Sequence, residues 1–272
     1  MDILAVINWN ADPEIFHIGS ISIRWYGLLF SIAFIVGYQI MSWVFKNEGK
    51  TQKDLEALTI TMIISTVVGA RLGHCFFYDP VYYLSHPLEI LMVWKGGLAS
   101  HGAAFGIMIG LWLFSRKRKK ITWLWTLDRI VIVVALAGVF IRTGNFMNSE
   151  IIGSPSGLPW SVVFQHVDAI PRHPAQLYEA LCYLAIFLYL FFRYKKYKSA
   201  LPEGQLFGFF LTTVFTARFL LEFVKKEQEA FEKSLPLDMG QILSIPFILL
   251  GVYFLYRAWK RKKKESGIDQ NL

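Results

Sequence analysis

Long apolar runs separated by short polar connections dominate the chain. Seven of them, residues 25–45, 55–77, 98–114, 123–141, 176–194, 206–224 and 242–259, can cross or nearly cross a bilayer core, which takes about 20 helical residues. The third is short, and Asp128 and Arg129 interrupt the fourth near its start. The pattern predicts an all-α membrane protein with seven transmembrane helices, a single polytopic domain over residues 1–272. Two connections stand out. Residues 79–97 include a Pro87-initiated apolar stretch ending at Trp94, too short to span and expected to lie on the surface as an interfacial helix. Residues 143–175 are rich in Gly, Pro, Ser and Asn, with turns expected at Pro155-Ser156-Gly157 and at Pro171. They are expected to form a small outer head inserted between the fourth and fifth spans. No internal repeat is visible, so an inverted-repeat transporter has no support.

Composition strengthens the membrane reading. The 272 residues are 54% hydrophobic and only 18% charged, where a soluble domain is about a quarter charged. The formal charge of +8 invites a nucleic-acid reading, but the cations lie in short runs between apolar segments, as topology determinants facing anionic lipid do. Lys46, Lys50 and Lys53, the run Arg116 to Lys120, Arg193 to Lys198, and the tail Arg257 to Lys264 fall on one side. The opposite side has Lys95, Arg172, and a lysine group diluted by Glu227, Glu229, Glu232 and Asp238. The bias puts the N-terminus outside and the C-terminus in the cytoplasm. Trp25, Trp94 and Trp160 then fall at the outer interface, and Trp43, Trp112, Trp123, Trp125 and Trp259 at the inner one. Cys75 and Cys182 lie inside apolar runs without metal or disulfide spacing, and the N-terminus lacks the pattern of a cleaved signal peptide.

In this orientation Arg24, Arg71, His74, His101, Arg142, Glu150, His173, Glu179, Arg218 and Glu222 all approach one layer, at the outward ends of their helices. A charged side chain at the centre of a spanning helix costs about 2.5–3.5 kcal/mol on insertion scales, so such clustering marks a site. The most specific stretch is Arg142-Thr143-Gly144-Asn145-Phe146-Met147-Asn148-Ser149-Glu150-Ile151-Ile152-Gly153. Snorkelling to the interface accounts for a lone Arg142. It does not account for Asn145, Asn148 and Glu150 beside it, which suit an anionic, hydroxyl-bearing head group. His101 follows Gly96-Gly97-Leu98-Ala99-Ser100. It is either an interhelical hydrogen bonder or a general base, since an imidazole titrates near neutrality. Arg218 and Glu222, four apart, share a helical face, as a structural ion pair or as a second phosphate-directed cation with its orienting carboxylate. His173, Gln176 and Glu179 recur on one face behind Pro174, where satisfying neighbouring helices is the simpler role. Arg24 and Tyr26 start the first span, with the Tyr26 hydroxyl available to a head group. No nucleophile elbow, zinc-protease, P-loop or dinucleotide motif is present, so the nucleophile is expected to come with the substrate.

At these motifs the chain resembles the bacterial phosphatidylglycerol–prolipoprotein diacylglyceryl transferases over nearly its whole length. The resemblance rests on the run from Arg142 to Gly153, on Gly96 to Gly102, on His173 to Glu179, and on Arg218 to Phe223. Two positions depart from the family pattern: Ile141 stands where glycine usually precedes the arginine, and Val214 where a tyrosine is often found. The resemblance implies transfer of a diacylglyceryl group from phosphatidylglycerol to the lipobox cysteine of a preprolipoprotein at the inner membrane, releasing glycerol 1-phosphate. It implies no metal, no cofactor and no nucleic acid. His101, Arg142, Arg218 and Glu222 are the expected catalytic residues, and Tyr26, Arg142, Asn145, Asn148, Glu150 and Gly153 the expected substrate contacts. In this scheme His101 takes the thiol proton, Arg142 and Arg218 stabilise the leaving phosphate, and Glu222 and Glu150 hold the arginines. A channel or receptor, and a phospholipid hydrolase, are the rival functions.

Overall fold

A computed structural model describes residues 7–19, 21–118, 120–226 and 237–265. The chain divides into two units, Met41–Leu127 and a larger one made of Met1–Ile40 with Asp128–Leu272. Three short strands come first: β1 (Ile7–Trp9), β2 (Glu14–Ile18) and β3 (Ile21–Arg24). They lead into α1 (Trp25–Asn47) and α2 (Gln52–Phe77), then α3 (Pro80–Ser85), α4 (Pro87–Ile90) and a 3-10 turn over Val93–Lys95. α5 (Ser100–Arg116) and α6 (Trp123–Met147) follow, then β4 (Val162–Phe164) and β5 (Pro171–Arg172). α7 (Ala175–Tyr197), α8 (Gln205–Glu222) and α9 (Met239–Glu265) complete the order.

Five helices, α1, α2, α6, α7 and α9, are long and apolar enough to cross a membrane. They carry their apolar side chains outward as well as inward: Ile64 is 56% and Leu249 64% exposed. Apolar groups on every face suit a hydrocarbon solvent rather than water. α5, with 17 residues, is short for a full crossing, and α8 carries Arg218 and Glu222 in its last turns.

Within the smaller unit, α2 and α5 approach at backbone distance. A Cβ on Gly73 would stand 2.5 Å from Gly102 Cα, and one on Gly69 2.8 Å from Gly106 Cα. Without side chains there, dispersion contacts between the helices are maximal, which is how helices associate in lipid. Gly102→Val is therefore expected to lower stability by about 1–3 kcal/mol, the usual effect of overpacking. Thermal unfolding in detergent measures it, and an unchanged midpoint would show that the close approach is dispensable.

The expected interfacial helix over 87–94 is instead broken into short pieces, and Arg71 explains why. This side chain, only 3% exposed, donates to the carbonyls of Glu89 (2.5 Å), Ile90 (3.0 Å) and Gly96 (2.6 Å). Carbonyls that a continuing helix would use are taken by a guanidinium, which also lies over the Tyr83 ring. Arg71 thus organises this connection. Leu88 and Trp94 still point outward, 73% and 77% exposed.

In the larger unit, the all-α expectation is corrected by the five short strands. β1 pairs in parallel with β4, and β4 antiparallel with β5, giving the order β1-β4-β5. β2 and β3 form an antiparallel hairpin with an irregularity between Glu14 and Phe16. Strands of two to five residues are too short to impose a visible period. Val162 and Phe164 of β4 cluster with Phe146 and Ile152, with Trp9 of β1 and Leu177 packed alongside. Asp128 is fully buried. It accepts from the backbone N–H groups of Gly204 (2.6 Å) and Phe207 (2.8 Å), supplying partners to the free donors at the start of α8.

Candidate active site

Arg142 lies near the end of α6, where the helix must stop and the chain must turn. α6 ends at Met147, and Ser149 and Ile151 then take left-handed conformations, φ 56° and 54°. These residues reverse the chain: Glu150 N–H donates to Asn145 O at 2.9 Å, which folds the carboxylate back over the helix end. One Glu150 oxygen accepts from Asn145 Nδ2 and the other from Asn148 Nδ2, each at 3.1 Å. Gln176 Nε2 donates to the Glu150 carbonyl at 2.6 Å, so the fully buried Gln176 fixes the turn from α7. A left-handed β-branched residue costs of order 1–3 kcal/mol and persists only where its surroundings fix it. Here those surroundings are the amides and carboxylate singled out in the sequence.

The arginines are held differently from the expected scheme. Arg142 Nε pairs with Glu179 Oε2 at 2.6 Å, and its Nη1 donates to Asn145 Oδ1 at 3.4 Å. Glu179 is 1% exposed, and its other oxygen lies 2.8 Å from Lys225 Nζ. Lys225, 4% exposed at its side chain, also pairs with Glu222 Oε2 at 3.0 Å. Glu150 thus holds the two amides, Glu179 holds Arg142, and Glu222 holds Lys225. Arg218 is half-buried and has no carboxylate partner among the described residues. Arg142, Glu179 and Arg218 all lie within electrostatic reach of the Tyr183 phenol.

Tyr26, the second residue of α1, packs against Gly144, where a Cβ would stand 2.9 Å from its Cδ2. Its phenol is within electrostatic reach of Glu150 and Arg142. Gly153 contributes through the lack of a side chain: a Cβ would lie 2.6 Å from His173 Cβ and 2.8 Å from Val224 O. Its backbone bridges to Lys225, and Lys226 N–H donates to Ile152 O at 3.2 Å. The 152–154 segment is therefore the brace that carries Lys225. Beside it, Arg172 donates to both Asp168 oxygens, at 3.1 and 2.6 Å. Those charge-assisted hydrogen bonds hold the Asp168 carboxyl below the usual carboxylate range.

Tyr26, Arg142, Asn145, Asn148, Glu150, Gly153, Arg218 and Glu222 all belong to the larger unit, and His101 to the smaller. His101 is exposed on the first turn of α5, with the rings of Phe77 and Tyr78 at 5.2 and 5.8 Å. Two participants were not assigned to the site by sequence. Lys225 lies in the connection just after the sixth apolar run, and Tyr183 lies inside the fifth. The signals available were its i+4 relation to Glu179 and, for Lys225, its i+3 relation to Glu222.

The sequence matches a known group of proteins. A family profile described as prolipoprotein diacylglyceryl transferase matches residues 13–257. The chain belongs to the prolipoprotein diacylglyceryl transferase family. A phosphatidylglycerol–prolipoprotein diacylglyceryl transferase of Tolumonas auensis is 47% identical over 256 residues, covering 94% of this chain and 99% of that protein. One of Chloroherpeton thalassium is 46% identical over 266 residues, 98% of this chain and 99% of the relative. One of Bacteroides fragilis is 44% identical over 273 residues, 96% and 98% respectively. Family membership makes the chain a transferase of lipoprotein biosynthesis, and its apolar helices make it a membrane protein.

Proposed function

We propose that this chain transfers the sn-1,2-diacylglyceryl group of phosphatidylglycerol to the lipobox cysteine of a preprolipoprotein. The observation that carries the reading is Arg218, a half-buried guanidinium without a carboxylate partner among the described residues, in the same unit as Arg142 and its amides. A cation left uncompensated in a poorly hydrated place is stabilised by an anion brought by a ligand, and a guanidinium fits phosphate. Asn145, Asn148 and Tyr26 supply donors and acceptors for glycerol hydroxyls and ester oxygens.

The reaction is a displacement at an sp³ carbon. The substrate thiol, with an ordinary pKa near 8.5, gives its proton to His101, because the thiolate is the nucleophile. Sulfur bonds to the glyceryl carbon as the carbon–oxygen bond to phosphate breaks. Glycerol 1-phosphate leaves with the electron pair, its charge met by Arg142 and Arg218. Seven crossings, with the N-terminus outside, would put these groups beside the outer leaflet of the inner membrane, where lipid and signal peptide are both present.

The test uses purified protein, phosphatidylglycerol vesicles and a lipobox peptide, with glycerol 1-phosphate release followed against time. Release should require the peptide's cysteine, and a Cys→Ser peptide should give none. Release without peptide would mean a phospholipid hydrolase instead. His101→Gln is expected to lower turnover about 10²–10⁴-fold, the usual worth of a general base, while leaving the unfolding midpoint unchanged. Near-normal turnover would remove His101 as the base.

A further inference from the structure

The sixth apolar helix presents a competition that sequence spacing alone resolves the other way. Glu222 lies four residues after Arg218, the separation that brings side chains together on a helix. Yet the Glu222 carboxylate faces Lys225, 3.0 Å away, and Arg218 has no carboxylate partner among the described residues. We propose that Lys225 is a positioning residue that engages Glu222 and Glu179 together and thereby leaves the Arg218 guanidinium open to a lipid phosphate. This rests on the phosphate-directed role of Arg218 argued above.

The geometry of Lys225 is fixed from three directions. Its ammonium bridges Glu179 Oε1 at 2.8 Å and Glu222 Oε2 at 3.0 Å, and its side chain is 4% exposed. Its backbone forms an antiparallel bridge with Gly153, flanked by Ser154 N–H to Val224 O and Lys226 N–H to Ile152 O. Its own N–H donates to Glu222 O at 3.1 Å, which ties the turn after α8 to the carboxylate that the side chain holds. Gly240, at the start of α9, leaves room for that carboxylate, since a Cβ there would stand 2.6 Å from Glu222 Cδ. Glu222 is therefore confined near Lys225. With Arg142 beside the remaining Glu179 oxygen, Lys225 and Arg142 together balance the Glu179 charge, and Lys225 also donates a hydrogen bond to Glu222. Among the described residues of this cluster, Arg218 is the cation left without a carboxylate.

Loss of the ammonium returns Glu222 to its i−4 neighbour. An Arg218 neutralised within the helix binds phosphate less well, so the defect falls on lipid recognition. In the cysteine-dependent assay, Lys225→Met is expected to raise KM for phosphatidylglycerol about 10- to 100-fold, the range for one lost charge-assisted contact. KM for the peptide should stay unchanged and kcat should fall far less. Lys225→Arg, which keeps a cation between the two carboxylates, should restore most of the lipid KM. If Lys225→Met does not fold, Lys225→Gln, which removes the charge and shortens the side chain but leaves a polar group in the buried place, carries the same test, with thermal unfolding as the control for folding. A folded Met or Gln variant with the wild-type lipid KM overturns the proposal, as does an Arg variant as impaired in lipid KM as Met. Wild-type protein with no cysteine-dependent consumption of phosphatidylglycerol would instead overturn the parent reading.

Discussion

Arg142→Lys should lower kcat/KM for diacylglyceryl transfer by about 10²–10³-fold, the effect of removing one preorganised donor from a developing oxyanion. The substitution keeps the charge and loses the fork. In the native site, Nε is committed to Glu179 at 2.6 Å and Nη1 to Asn145 Oδ1 at 3.4 Å. The planar group has further donors to offer a phosphate. A lysine ammonium is a single point at the end of a flexible stem. Drawn to the buried Glu179 carboxylate, it leaves Asn145 without its donor and the phosphate without its cation. Because the Glu179 charge remains compensated, the unfolding midpoint should barely move, separating this effect from misfolding. The measurement is initial velocity against phosphatidylglycerol concentration at saturating peptide. A Lys variant keeping a third of wild-type activity would show that charge alone suffices at this position.

Sequence pattern located the long helices because each has an apolar run of helical length. The expected spans at 25–45 and 123–141 correspond to α1 (Trp25–Asn47) and α6 (Trp123–Met147). α6 outruns its apolar run, since the helix continues to Met147 through the polar Arg142, Thr143 and Asn145. That is why the expected head segment at 143–175 begins inside a helix. The strands were not legible. Ile7–Trp9 pairs with Val162–Phe164 across more than 150 residues of chain, and three-residue strands carry too few side chains to show alternation.

For the site, the residue types were legible and their pairing was not. Helical spacing ranks Arg218–Glu222 as a pair, but it says nothing of a third cation delivered by a brace through Gly153. Spacing likewise put Gln176 and Glu179 on one face of α7, without revealing that one meets the Glu150 carbonyl and the other Arg142. The left-handed turn at Ser149 and Ile151 has no glycine to announce it. Only its amide and carboxylate partners make it stable, and those were visible as a cluster of polar residues with no assigned geometry.

The second large effect is on stability and lies at Glu179. This carboxylate is 1% exposed and has a cation on each oxygen, Arg142 Nε at 2.6 Å and Lys225 Nζ at 2.8 Å. Glu179→Gln preserves shape but turns one accepting oxygen into a donating NH2 group and removes the negative charge between Arg142 and Lys225. Removing one partner of a buried ion pair typically costs about 3–5 kcal/mol, because the other charge stays in a medium that solvates it poorly. Two cations are stranded here, although Glu222 still compensates Lys225 in part. A loss of about 3 kcal/mol is expected, seen as a lower unfolding midpoint in detergent. The charge argument makes a further demand. Adding Lys225→Gln to Glu179→Gln removes one stranded cation, so the double variant should be more stable than the sum of the single changes predicts. Strict additivity would mean that each side chain contributes through packing alone, and the three-membered chain Arg142–Glu179–Lys225 would then have no electrostatic unity.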